Sequence, residues 1–298
     1  MPSVKVKNYL HLHFIVLIWG FTAVLGKLIT IDALPLVWYR MLIASGLVLV
    51  FILIKRNNLR VSPKTLSVLI LTGGIIALHW VTFFWAIKVS NVSVALATMS
   101  TGAFFTAILE PIWYKRKMIL YEIILGVVVI VGLCIIFNVE TNYVEGIVIA
   151  LVSAFLAAIF SLINGKLIQS HKPSVISFYE LGAGALFLTI YLGFNGNFTE
   201  DFFQLSKNDW IFIFILASFC TAYAFIASVK VMKFLSPYTV MLTINLEPVY
   251  GILLAFIVFG ESEQMQTLFY IGALIILATV IANGILKNKS ELKKKIGA

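Results

Sequence analysis

Gly26-Lys27-Leu28-Ile29 recurs as Gly165-Lys166-Leu167-Ile168, and each copy closes a long apolar segment that four more such segments follow. If every segment crosses a bilayer, the period of the repeat is odd. The second copy must then enter the membrane from the side opposite to the first. The copies become inverted halves, residues 1–140 and 141–298, related by an approximate two-fold axis in the membrane plane, an arrangement found in secondary transporters.

The register between the halves drifts smoothly with loop length. It is 139 residues at Gly26/Gly165, 140 at Tyr39/Tyr179, 145 at Lys88/Lys233 and Thr98/Thr243, and 146 at Gly126/Gly272. Chance identities would scatter. Glu110-Pro111 and Glu247-Pro248 do not share this register, so their likeness is coincidental.

Composition sets the class. Hydrophobic residues are 61% of the 298 and charged residues 12%, too few to clothe a water-soluble globule. Ten apolar runs are long enough to cross hydrocarbon about 30 Å thick: 10–28, 34–54, 65–87, 91–113, 118–137, 144–168, 174–193, 209–231, 237–259 and 266–286. The expected fold is an all-α polytopic membrane protein with ten transmembrane helices as two inverted five-helix repeats. Breakers and charges fill the joints, such as Asp32-Ala33-Leu34-Pro35 and His171-Lys172-Pro173.

With the N-terminus inside, eighteen basic residues collect on inner joints and tails: Lys5, Lys7, Lys55, Arg56, Arg60, Lys64, Lys115, Arg116, Lys117, Lys166, Lys172, Lys230, Lys233, Lys287, Lys289, Lys293, Lys294 and Lys295. Only Lys27, Lys88 and Lys207 fall outside, which places both termini in the cytoplasm. The net charge of +9 thus reports topology and gives no sign of a nucleic-acid partner. The expected partners are the lipid bilayer and a small-molecule substrate. Cys134 and Cys220 lie in apolar segments without metal-ligand spacing, and no phosphate-binding loop or His-Glu-x-x-His helix occurs, so neither a metal nor a cofactor is expected.

Several short motifs, taken together in order, resemble the drug/metabolite transporter superfamily, specifically its EamA-type ten-helix members. They are Ile18-Trp19-Gly20, Trp38-Tyr39-Arg40-Met41, the run from Phe84-Trp85-Ala86 to Ala95, and Leu246-Glu247-Pro248-Val249. The resemblance covers the whole chain. It implies a multi-pass inner-membrane (cell-membrane) carrier for small metabolites, often an exporter, with a central cavity lined by helices other than 5 and 10.

Polar groups inside the hydrocarbon mark the candidate site, because each is costly there unless it has a role. Glu247 sits near the middle of segment 9, and Pro248 beside it cannot donate to the carbonyl of Ile244, so a bend is expected. Thr243, Tyr250 and Gly251 share its face. A titrating carboxyl at such a bend is a candidate for proton coupling; an acid that hydrogen-bonds a neighbouring helix is the structural alternative. His79, with Phe83 one turn on, is read in the same two ways. Small and polar stripes run along segment 1 (Trp19, Thr22), segment 4 (Thr98, Thr101) and segment 8 (Thr221, Phe225). Such stripes serve close helix packing, but they fall on the helices that the resemblance assigns to the cavity.

Arg40 and Glu180 occupy matched positions of the two halves. Inversion puts them about 12 Å apart in depth, too far for an ion pair, and Arg40 is expected to snorkel toward the outer surface, an outer gate or an anion contact being the alternative. Glu110 lies a turn from Lys115-Arg116-Lys117 and reads as interfacial. Segments 5 and 10 are aliphatic with small residues at Gly126, Gly132 and Gly272, suited to scaffold contacts or a homodimer through helices 5 and 10.

The leading function is an inner-membrane secondary transporter, an exporter of small metabolites such as amino acids, working by alternating access at the repeat interface. Alternatives are a membrane-embedded enzyme with His79 and Glu247 as an acid/base pair, which lacks a nucleophile or metal set at one depth, and a non-transporting membrane subunit. Catalysis is not expected. Topology is directly checkable: cysteines placed at Asp32 and Asn197 should react with an impermeant thiol reagent from outside, and those at Asn57 and Lys289 only after permeabilisation. Labelling at Asn57 in intact cells would reverse the assignment.

Overall fold

The protein, described here from a computed structural model, is seen over residues 4–115, 117–118, 120–139 and 141–296. Among the described residues every regular element is helical. Of the basic residues counted for topology, Arg116 and the side chains of Lys5, Lys287, Lys289, Lys293, Lys294 and Lys295 lie outside the described residues.

The ten-helix order is α1 (Val4–Leu28), α2 (Ala33–Ile54), α3 (Pro63–Val89), α4 in two pieces (Val92–Met99 and Gly102–Trp113) and α5 (Leu120–Val139) for the first half. The second half is α6 (Val144–Leu167), α7 (Pro173–Phe194), α8 (Lys207–Val231), α9 in two pieces (Pro237–Ile244 and Glu247–Phe259) and α10 (Thr267–Ile296). Eight of these are long and apolar enough to cross a membrane, while the described apolar stretches of α5 and α10 are the shorter Ile124–Ile136 and Thr267–Thr279. Large side chains such as Leu53, Leu71, Leu78, Phe187, Leu253 and Leu274 point outward, as a lipid-facing surface requires.

Matching residues start matching helices. Ser62 and Ser206 cap α3 and α8 by accepting from the backbone N–H of Thr65 and Asp209, both at 3.1 Å. Asn91 and Ser236 do the same for α4 and α9, from Val94 at 2.8 Å and Thr239 at 3.2 Å. Each satisfies a first-turn donor that hydrocarbon cannot.

Helix pairing follows the two-fold. α2 packs on α7, α4 on α9 and α5 on α10, three pairs that the axis maps onto themselves. The remaining contacts come in twos: α3 with α6 is matched by α1 with α8, and α1 with α9 by α4 with α6. Glycine permits the closest of these crossings. A Cβ at Gly184 would meet the Gly73 carbonyl at 2.8 Å, and one at Gly272 would meet the Gly132 carbonyl, also at 2.8 Å. Of the small residues that the sequence marks on α5 and α10, Gly132 and Gly272 therefore lie against each other within one chain, while Gly126 faces Phe104 of α4.

Two carboxylates tie the broken helices together, one at each end of the bundle. Glu263, just after α9, accepts from the backbone N–H of Val92 (3.1 Å) and Ser93 (2.9 Å) and from the Ser93 hydroxyl (2.8 Å) at the start of α4. Its other partner is the Lys27 ammonium at 2.7 Å. At the opposite end Glu110 of α4 accepts from the backbone N–H of Tyr238 in the first turn of α9, at 3.0 Å. Glu110 is therefore buried and caps a helix, at the end of the bundle where the nearby lysines also lie. A negative charge at a helix N-terminus is favoured by both the open N–H groups and the helix dipole.

The α3–α7 crossing gives a stability prediction. Gly73→Leu would drive a side chain into the α7 backbone at Glu180 and Gly184, an overpacking that costs about 1–3 kcal/mol or more. Gly46→Leu meets nothing within 4 Å. In detergent, Gly73→Leu should unfold several degrees below wild type and Gly46→Leu should match it; equal melting of the two variants would contradict this packing.

Candidate functional site

Three interruptions of helical geometry converge on the middle of the bundle. α4 breaks at Ser100-Thr101 and α9 at Asn245-Leu246, positions related by the 145-residue register of the repeat. In α9 the break follows from Pro248, which stands in the first turn of the second piece and leaves the carbonyl of Ile244 without its fourth-residue donor. In α8 a single wide turn, Ser218–Tyr223, takes π geometry. There the Thr221 hydroxyl donates to the carbonyl of Leu216 at 2.8 Å, and the Cys220 carbonyl accepts from the Trp19 indole N–H at 3.2 Å. Such turns loosen the backbone ladder and present polar groups sideways, which is why they recur at functional sites.

Between these breaks lies a cavity of about 90 Å³, lined from α1, α2, α3, α4, α6, α8 and α9 and therefore from both halves. α5, α7 and α10 contribute nothing to it among the described residues. That volume holds several waters or part of a small solute. Its walls are largely aromatic and sulfur-bearing, with Trp80 and Phe225 rings 5.9 Å apart and Phe160 bridging toward His79 at 5.3 Å. Met99, Met232 and Met241 fill the remainder.

Besides His79, two ionisable groups stand in this wall, one from each half. Glu247 opens the second piece of α9. Arg40 is only 2% exposed, with its Nε donating to the Thr221 hydroxyl at 2.6 Å and its guanidinium carbon 3.9 Å from the centre of the Trp80 ring. Snorkelling toward the surface, the expectation for this arginine, is thus corrected: hydrogen bond and cation–π contact turn the side chain inward. Arg40 and Glu247 feel each other electrostatically but share no hydrogen bond or ion pair. Glu180, fully buried, accepts from the Asn164 amide at 3.2 Å and makes no contact with Arg40.

His79 is held by Ser153. The Nδ1 lies 2.8 Å from the Ser153 hydroxyl and 3.0 Å from the Ser153 carbonyl, and a proton on Nδ1 would serve both, since the carbonyl can only accept. The Ser153 hydroxyl donates back to the His79 carbonyl at 2.8 Å.

Of the residues singled out from sequence, the structure brings Trp19, Thr22, His79, Phe83, Phe225 and Glu247 to the cavity wall. Thr98, Thr101, Thr221, Thr243 and Tyr250 are not part of it. The hydroxyls of Thr101 and Thr243 bond carbonyls of their own helices, at 2.8 and 2.9 Å, as threonine does where no water competes. Thr221 stands behind Arg40, Thr98 is buried in packing, and Tyr250 packs against Gly20 of α1. Sequence reasoning missed Ser100, Ser161, Asn245 and the three methionines. For two of them a signal existed: Ser100 and Asn245 are equivalent in the repeat, and both are polar in the middle of apolar segments.

The EamA-like transporter family model matches the chain twice, over residues 8–138 and 144–284. A protein of Archaeoglobus fulgidus described as an uncharacterized transporter is 24% identical over 283 residues, covering 92% of this chain and 96% of that one. Another uncharacterized transporter, from Clostridium kluyveri, is 24% identical over 251 residues, covering 81% of this chain and 79% of that one. A solved crystal structure superposes with a TM-score of 0.71 at 15% identity, over 95% of this chain and 98% of the other, which speaks for the fold alone.

The boundary of the cavity can be probed chemically. In a background with Cys134 and Cys220 replaced by alanine, Ser100→Cys and Ser161→Cys should react with a small methanethiosulfonate reagent. Thr98→Cys, one turn away from the void, should not. Equal labelling of Thr98→Cys would mean that the cavity wall is misplaced.

Proposed function

The chain belongs to the EamA-like transporter family, and on that premise we propose that it exports small metabolites such as amino acids across the cell membrane, with Glu247 trading a proton for the substrate. The observation that carries this reading is the placement of Glu247: the one carboxyl among the described residues lining the cavity, at a helix break, where both halves meet. A carboxylate in such a place is costly unless it is paired, hydrated or protonated, so the site calls for a proton or a cationic partner. A substrate ammonium group can replace the proton as the partner of the charged form. Proton and solute then take turns on one carboxyl, which is the condition for antiport.

Alternating access is supported by the architecture. The cavity lies between two inverted halves, and α4 and α9, which cross the two-fold axis, are the helices broken beside it. The eighteen-to-three distribution of basic residues places both termini on the cytoplasmic side. On that side a second void of about 420 Å³, lined by Tyr114, Lys166, Lys233 and Pro237, shares Met232 with the central cavity. It is the entrance from which an exporter would load.

Glu247→Gln keeps the shape and hydrogen-bonding capacity of the neutral acid but cannot titrate. Reconstituted in liposomes, this variant should still exchange labelled amino acid down its gradient yet lose uphill movement driven by a pH difference. Gradient-driven transport equal to wild type would reject the coupling role. Chemical conversion of the solute in the same assay would point instead to an enzyme.

A further inference from the structure

Two residues that line the cavity each carry a buried nitrogen donor with no partner. Arg40 Nη1 and Asn245 Nδ2 are buried with no hydrogen-bonding group in reach, although both residues line the cavity. An orphaned donor in hydrocarbon costs about 1–3 kcal/mol, and more when it belongs to a charged group. The chain does not lack the means to satisfy such groups. It uses a carboxylate for the N–H groups of Val92 and Ser93, a carbonyl for the Trp19 indole and a hydroxyl for Arg40 Nε. Glu247, the obvious acceptor for Arg40, is near enough for attraction yet not bonded to it.

We infer that Arg40 and Asn245 form an anion subsite that takes the carboxylate of the transported solute. The inference rests on the proposed carrier function and extends it to the other pole of the substrate. The guanidinium is prepared for this task. Its Nε is fixed by Thr221 and its face lies on Trp80, so one edge of the planar fork is left for a ligand without further ordering of a long side chain. Asn245 ends the first piece of α9 and Glu247 begins the second, so the helix break sets a donor and a carboxyl two residues apart beside the same void. Oxygens of the solute would meet Arg40 and Asn245, while its apolar body would face Trp19, Phe160 and Phe225. The adjoining void agrees in sign: its lining includes Lys166 and Lys233 and no acidic residue.

The test uses purified full-length protein and four acid/amide pairs of the same shape: 4-methylpentanoate, 3-phenylpropanoate, L-leucine and L-phenylalanine, each against its primary amide. Thermal unfolding in detergent should be delayed by acids at concentrations at least about tenfold lower than by their amides, the factor expected for a hydrogen bond to a charged group. Arg40→Gln should abolish that preference. Because this variant also loses the bond to Thr221, Asn245→Leu provides a second reading, in which Arg40 and its supports stay and the acid preference shrinks. Amides that protect wild type as well as the acids, or a panel in which no acid protects it, would overturn the subsite. Acids that bind but never exchange across proteoliposomes would overturn the carrier function and leave the subsite standing. Amides that exchange as fast as acids would overturn the subsite and leave the carrier.

Discussion

Inside a bilayer an N–H group can send its hydrogen bond only back into the protein, and the arrangement of this chain follows from that constraint. At the starts of the two broken helices another part of the chain supplies the acceptor. Glu263 closes the start of α4 and Glu110 the start of α9, so the two broken helices hold each other's ends. The wide turn of α8 turns its spare groups toward Trp19 and Arg40. Beside the void, Arg40 Nη1 and Asn245 Nδ2 are left without a partner, as are a few buried oxygens elsewhere, among them those of Thr98 and Ser177.

The fold was readable because its signals are long. The repeated Gly-Lys-Leu-Ile, its drifting register and the apolar runs each integrate over many residues, and the matched caps Asn91 and Ser236 fall where that register places them. The site was only partly readable, because a side chain's direction is local. Arg40 was assigned a depth from its position along the helix, whereas its long side chain reaches in either direction and Thr221 and Trp80 decide which. The threonine stripes read equally as packing or as lining, and Thr101 and Thr243 bond carbonyls of their own helices. Glu110 shows the same limit: nearby charges in sequence said interface, but not that a helix start from the other half would bury it.

The cavity joins two chemical poles within walls that are otherwise apolar. Trp80 supports the cation by its π face, and Phe160, Phe225 and the methionines offer contacts without directional demands. Such walls accommodate varied carbon skeletons while the polar groups fix orientation. His79, committed through Nδ1 to Ser153, contributes a fixed ring.

The two poles come from different halves, and the positions that correspond to them do not match. Arg40 is equivalent to Glu180, and Glu247 to Gly102. A bundle assembled from two copies of the first half would face a pair of guanidinium groups across its centre with no acid between them. Two copies of the second half would place Glu180 and Glu247 at these positions twice over, with no cation among them. Neither symmetric dimer would set a guanidinium and a carboxyl beside one void, so the polarity of the site belongs to the diverged chain.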